Sequence, residues 1–321
     1  MSQDAPQRPS KRRSGTLKVV AVVGATATGK TDLGEAVAEA LGGEVVCADS
    51  RQVFRELEIG TGKPAPAERG ARRHHLFDAL ALGQRPSAGW YAGAVGVASR
   101  EIQARGSTPV LVGGSGLWLR AAQRGLSEEP PHDAAVRVAL RTELERVGPE
   151  ALHHRLALVD PVTAARLEPR DRQRVTRALE VHEASGRPLS WWHERRGQPA
   201  VAGEWHVFDL TVEPTALDQR IAHRTRWMFE TGLVEETQAL VAAGKEQALT
   251  SLRAVGYDEA LDLLAGRLTR TAAEERTNLR TRQLAKRQRT WFRHQIEAVR
   301  LAPGREGPMA WLPEILRHLR S

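Results

Sequence analysis

The chain opens its patterned part with a short apolar run, Leu17 to Val23, that stops at Gly24. Its β-branched residues predict a strand buried on both faces of a parallel sheet. Asp32 to Leu41 has helical spacing and ends at the pair Gly42-Gly43, where a helix stop is expected. Glu44 to Ala48 and Val110 to Val112 read as two further strands, and His206 to Val212 as a fourth. Strand, helix, strand in that order implies a parallel sheet with helices on its faces. From about Pro130 to Gly203 no strong strand pattern occurs. Helical stretches such as Asp133 to Val147 are punctuated by Pro149, Pro161, Pro169, Pro188 and Gly197, which predicts a helical insertion. Long helices are expected from about Pro214 to Ala243 and from Thr271 to Glu297.

The pattern therefore predicts an α/β chain. Residues 17–129 and 204–321 form a core, 130–203 form the helical insertion, and 1–16, with the run Lys11-Arg12-Arg13 and no apolar segment, form a disordered basic tail. No apolar run approaches the ~20 residues that span a bilayer. The single cysteine, Cys47, excludes an internal disulfide and a cysteine-cluster zinc site, and fits a reducing, cytoplasmic setting. The formal charge of +8 favours a polyanionic partner.

Candidate chemistry starts at Gly24-Ala25-Thr26-Ala27-Thr28-Gly29-Lys30-Thr31, a full G-x-x-x-x-G-K-[ST] match lying between a predicted strand and a predicted helix. Its glycines let backbone wrap a phosphate. The loop N–H groups and the helix start carry partial positive charge, Lys30 adds a full one, and the Thr31 hydroxyl can hold Mg²⁺. A P-loop NTPase-like parallel sheet flanked by helices is the expected core. The motif specifies a polyphosphate without specifying ATP. The strand at Val110 to Val112 runs into Gly113-Gly114-Ser115-Gly116 instead of ending in a metal-binding acid. Asp49, after the strand at Glu44 to Ala48, stands where ligands bind in such sheets, with metal binding, a general base and a helix N-cap all open to it.

Asp49-Ser50-Arg51-Gln52-Val53-Phe54, Ile59-Gly60-Thr61-Gly62-Lys63-Pro64, His74-His75-Leu76-Phe77-Asp78 and Leu111 to Trp118 together resemble the tRNA dimethylallyltransferase family. So do Asp171 to Leu179, Val255-Gly256-Tyr257 and Thr281 to Arg293. The resemblance spans about Val19 to Trp291. It implies transfer of a dimethylallyl group from dimethylallyl diphosphate to N6 of adenosine 37, just 3′ of the anticodon, in tRNAs reading codons that begin with U. Diphosphate is the second product. The family pattern gives the phosphate loop and Mg²⁺ to the diphosphate, and makes Asp49 the base for the adenine amino group. It places Ser50, Arg51 and Gln52 at the RNA, along with Ser115, Arg137, Gln173, Arg174, Val175, Thr176 and Arg177. Two further RNA segments are Arg253, Ala254, Val255, Gly256, Tyr257 and Asp258, then Lys286, Arg287, Gln288, Arg289, Thr290, Trp291, Phe292 and Arg293. The insertion is expected to touch the tRNA anticodon stem-loop, and the enzyme to act as a monomer without a membrane. Ser115, Trp118 and Gly62 stand where the family usually has Thr, Tyr and Ala. No Cys/His zinc-finger pattern follows, as in the bacterial branch.

The basic residues Arg282, Lys286, Arg289 and Arg293 recur at helical spacing, a positive stripe suited to a phosphate backbone. His74-His75 and His153-His154 lack further ligands at zinc spacing. Trp191-Trp192 reads as packing. Three rival readings share the loop and the acid: an adenylate isopentenyltransferase, a P-loop kinase of small metabolites, and an RNA-binding regulator without catalysis.

Overall fold

The run at 17–23 lies inside a six-stranded sheet, entirely parallel, of order β3-β2-β4-β1-β5-β6. A computed structural model of the chain describes residues 17–67, 69, 72–126, 133–195, 197–301 and 307–320. The tail expected at 1–16 and the boundary at 129 and 130 lie outside them. In chain order the first elements are β1 (Lys18–Gly24), α1 (Lys30–Leu41), β2 (Glu44–Cys47), β3 (His74–His75), α2 (Ala88–Ala104) and β4 (Pro109–Gly113). Then come α3 (Gly116–Arg124), α4 (Ala134–Val147), α5 (Pro149–Val159), α6 (Pro161–Ala164), α7 (Arg172–Ser185) and α8 (Leu189–Glu194). The chain returns to the sheet in β5 (Glu204–Leu210). It continues through α9 (Pro214–Thr231), α10 (Leu233–Ala242), α11 (Glu246–Leu252), α12 (Tyr257–Leu264), α13 (Arg270–Gln295), β6 (Val299–Leu301) and α14 (Leu312–His318).

Two compact units result. One holds the described parts of 1–83, 98–114 and 202–321; the other holds the described parts of 84–97 and 115–201. The helical unit thus takes in α3 and the first part of α2 besides the described residues up to Val201 of the span 130–203 expected from sequence, while Ala202 and Gly203 belong to the sheet unit. In the sheet unit, Leu33, Val37 and Ala38 of α1 pack with Val20, Val110, Val112, Phe208 and Ile315 into one fully buried cluster. Gly34 allows this closeness: a Cβ there would lie 2.4 Å from a methyl of Val112.

Three expectations change. The strands β3 and β6 were not expected, since two- and three-residue pieces are too short to carry a period. The strand expected at 206–212 lies at Glu204–Leu210. The single helix expected over 214–243 breaks at Gly232, whose φ of 119° is left-handed and ends α9 before α10 starts.

The paired histidines at 74–75 are bound to carboxylates. His74 meets Glu35, and His75 meets Glu44 at 2.7 Å. Glu44 also accepts two bonds from Arg105, at 2.9 and 2.8 Å, and these, helped by His75, hold its carboxyl down to about 2 despite desolvation.

In the helical unit, Leu140, Leu152, Leu156, Val175 and Leu179 form the core. Asp133 caps α4 by accepting from the N–H groups of Ala135 and Val136. Trp118 stacks on Tyr91, with ring centroids 4.4 Å apart. Trp191 and Trp192 meet edge to face. Among the described residues, no helix is long and apolar enough to cross a membrane.

Asp209 on β5 is a buried carboxylate. Desolvation raises its pKa to about 6, against the pull of Arg300 and Arg293. A carboxyl whose folded value is raised stabilises the fold least where it must ionise. Stability is therefore lost as pH climbs from the ordinary Asp value toward 6. Asp209→Asn is expected to gain at most about 3 kcal/mol at pH 7 and almost nothing at acid pH, read by urea unfolding at both. A variant no more stable at pH 7 than the parent would contradict this.

Candidate active site

Gly24 closes β1 in an extended, positive-φ conformation (150°), where a Cβ would come within 2.7 Å of the Leu210 carbonyl on β5. The loop then turns through Ala27 and Gly29, both left-handed, with φ of 63° and 87°. Thr28 Oγ1 donates to the Ala25 carbonyl at 2.9 Å and Lys30 Nζ to the same oxygen at 3.2 Å, which folds the loop back on itself at the start of α1. The expected strand–loop–helix is therefore present, with its N–H groups gathered at a helix N-terminus.

Two arginines that the sequence reading did not single out brace this loop. From α9, Arg220 Nη1 donates to the Thr28 carbonyl at 3.2 Å. Arg224 reaches Thr26 Oγ1 at 3.4 Å and the Thr61 carbonyl at 2.8 Å. The signal was available. Leu217 and Ile221 are core positions, and Arg220 and Arg224 lie three residues further on the same helix, beside that apolar stripe. Gly62 makes room for Arg224: a Cβ on it would lie 2.2 Å from Nη2.

Asp49 follows β2 and is half-buried rather than sunk in the core. The Arg51 N–H donates to its Oδ1 at 2.9 Å, fixing the carboxylate. Asp49 acts electrostatically on Lys30, Arg224 and Arg51 alike. Desolvation, with Arg224 adding to it, pulls the Lys30 pKa down to about 8, and Asp49 opposes that fall. Gly113 permits this placement. A Cβ there would come within 2.1 Å of the Ala48 carbonyl, so the ends of β2 and β4 could not approach as they do. Cys47, just before, is buried, and desolvation pushes its thiol far up, so it is an inert core residue.

A cleft of about 610 Å³ lies along the loop, lined by Gly29, Lys30, Thr31, Asp32, Arg220, Arg224, Trp227 and Pro308 among others. It exceeds what a diphosphate alone needs. Asp49 is not in its lining, although it acts on two cations that are. Thr31 offers a hydroxyl at the start of α1, beside the exposed carboxylate of Asp32. Among the described residues no cluster of three His, Cys, Asp or Glu could hold a metal alone. Few protein oxygens, with the rest supplied by substrate phosphate, is the donor set that suits Mg²⁺.

The segments that the resemblance gives to RNA divide by exposure. Gln173 and Arg174 are exposed on α7, whereas Val175 and Thr176 are buried in that unit's core. Arg137 and Arg177 both donate to the buried carboxylate of Glu180, each at 3.0 Å or slightly more. Ser115 stands just before α3. Arg51 Nη2 donates to the Leu252 carbonyl at 2.8 Å and Gln52 Nε2 to the Gly62 carbonyl at 3.1 Å. Arg253 is exposed in a left-handed turn. Ala254, Gly256 and Tyr257 are buried, with the Tyr257 hydroxyl on Glu236, while Val255 and Asp258 are partly exposed.

On α13, Arg276 and Arg280 are paired with Asp262, Asp258 and Glu259. Further along the helix, no carboxylate among the described residues lies in ion-pair distance of Lys286, Arg287, Arg289 or Arg293. Thr290 is exposed beside them, Trp291 is half-buried and Phe292 is buried. Gln288 is the departure. Its amide is committed inward, accepting from the Thr26 N–H at 2.9 Å and donating to the Gly114 carbonyl at 3.0 Å.

Comparison with known proteins agrees with this geometry. A profile described as IPP transferase matches residues 52–295, and one described as isopentenyl transferase matches 17–85. A tRNA dimethylallyltransferase of Halorhodospira halophila is 45% identical over 89% of this chain and 93% of its own length. The solved tRNA isopentenylpyrophosphate transferase of Bacillus halodurans is 32% identical, with a TM-score of 0.68 over 94% of this chain and 95% of that one. A solved eukaryotic dimethylallyltransferase acting on tRNA gives a TM-score of 0.73 at 25% identity, over 89% of this chain and 74% of that one. The chain belongs to the IPP transferase family.

Proposed function

We propose that the protein transfers the dimethylallyl group of dimethylallyl diphosphate to N6 of adenosine 37 in tRNA, releasing diphosphate. The observation that carries this is the convergence of one carboxylate, Asp49, on the two cations Lys30 and Arg224 at the phosphate loop. An exocyclic adenine amine is a poor nucleophile, because its lone pair is delocalised. A carboxylate that hydrogen-bonds the N–H can take that proton as the C–N bond forms. The allylic C–O bond breaks in the same step, and negative charge builds on the departing diphosphate. Lys30, Arg224, Arg220 and the loop N–H groups are preorganised donors for that charge. Lys30 now donates to the Ala25 carbonyl and exchanges this weak bond for a phosphate oxygen. Thr31, with Asp32 near it, would hold Mg²⁺, which supplies further neutralisation of the diphosphate.

The acceptor base must leave the anticodon-loop stack to present its amine, at a cost of a few kcal/mol. Electrostatics favours RNA along Lys286, Arg287, Arg289 and Arg293, where no carboxylate among the described residues lies in ion-pair distance. Each phosphate contact contributes about 0.7 to 0.9 to the slope of log affinity against log salt. Lys286→Ala with Arg289→Ala is therefore expected to flatten that slope by roughly 1.4 to 1.8, measured with an anticodon stem-loop. An unchanged slope would remove these two residues from the RNA contact.

The deciding experiment incubates the protein with dimethylallyl diphosphate, Mg²⁺ and unmodified tRNA, then locates any added five-carbon unit by mass analysis of the digested nucleosides. Free AMP as the preferred acceptor would point to an adenylate isopentenyltransferase. ATP turnover without a prenyl donor would point to a kinase.

A further inference from the structure

Gln288 sits on the inward face of α13, in register with Ala285 one turn before it and Phe292 one turn after, both buried. Ala285 packs with Ala25 of the phosphate loop. The next loop residue, Thr26, gives its N–H to Gln288 Oε1, while Gln288 Nε2 holds the Gly114 carbonyl at the end of β4. Gly114 makes this possible, since a Cβ there would lie 2.3 Å from Nε2. Thr26 is thus clamped on its backbone by α13 and, more loosely, on its hydroxyl by Arg224 of α9. An α-helix moves as a rigid element. A shift of α13 set by phosphates on Lys286 or Arg289 therefore carries the Thr26 backbone with it, and through Thr26 the phosphate loop that lines the cleft.

We propose that Gln288 is a positioning residue that couples RNA binding on α13 to diphosphate affinity in the phosphate loop. RNA tightens the grip on diphosphate and, by linkage, diphosphate tightens the grip on RNA by the same factor. Gln288 touches neither reacting atom. Its effect runs through Thr26 and Gly114. The inference rests on the functional reading above, in that it takes α13 to face RNA.

The test measures binding of inorganic pyrophosphate with Mg²⁺ to the full chain by calorimetry, with and without an anticodon stem-loop RNA. In the parent protein, RNA is expected to raise pyrophosphate affinity at least about fivefold. Gln288→Met keeps the length of the side chain and removes both hydrogen bonds. It is expected to bring that ratio to about one, while RNA affinity measured without pyrophosphate changes less than about threefold. Gln288→Glu keeps an acceptor for the Thr26 N–H and loses the donor to Gly114, so it should retain part of the coupling and carries the test if the Met variant does not fold. In steady state at saturating RNA, both variants should raise KM for the donor more than they lower kcat. A merely structural role would move melting temperature and leave the ratio alone. A parent-like ratio in both folded variants, or a ratio of one in the parent, overturns the inference. A parent protein that transfers no prenyl group to tRNA defeats the functional reading instead.

Discussion

Lys30→Ala is expected to lower single-turnover transfer by about 10² to 10³-fold, the cost of removing one donor from a preorganised anion site. RNA affinity should stay near that of the parent, because Lys30 reaches into the phosphate loop and not toward α13. The same residue makes a pH prediction. Desolvation sets its folded pKa near 8, and only the protonated amine can receive the diphosphate charge. The kcat/KM for donor, which reports the free enzyme, should therefore fall as pH rises through about 8. Once diphosphate is bound, its charge raises the amine's pKa, and the fall in kcat moves to higher pH. A variant with near-normal single-turnover rates would take the leaving-group role away from Lys30.

Asp49→Asn should be the second severe loss, about 10² to 10⁴-fold in the transfer step. The amide keeps the shape of the side chain and can still accept the Arg51 N–H, so the fold should persist. It cannot take the proton of the adenine amine. It also removes the carboxylate that opposes the fall in the Lys30 pKa. The alkaline limb of kcat/KM is accordingly expected to move to lower pH in this variant, a signature that loss of a general base alone does not give. Normal transfer by Asp49→Asn, with the limb unmoved, would sink both roles.

The parts of this site that were legible in the sequence are those where local chemistry is sufficient. Gly24 to Thr31 announce themselves because a loop that wraps phosphate requires glycines and a lysine at fixed spacing, between a strand and a helix. Asp49 is readable as a carboxylate at a strand end. Arg220 and Arg224 are less visible, because only the return of β5 alongside β1 brings α9 to the loop. Gln288 is harder still: its neighbours in sequence are cations, and nothing in its residue type says that it turns inward. The strands β3 and β6 escaped because edge pieces of two or three residues owe their form to pairing with β2 and β5. Gly232 could have been read as a stop, yet helical composition on both sides masked it.

One part of the cradle comes from a segment far from the loop in sequence. Pro308 lies over Gly29, so close that a Cβ on that glycine would be 2.6 Å from its ring, and Trp311, Ile315 and Leu319 anchor the segment in the core against α1. On the ribosome, the loop emerges early and its lid emerges late. Until translation reaches that proline, a nascent chain carries a bare anion trap with an unfinished wall, and the donor site matures only once the segment that carries Pro308 has emerged.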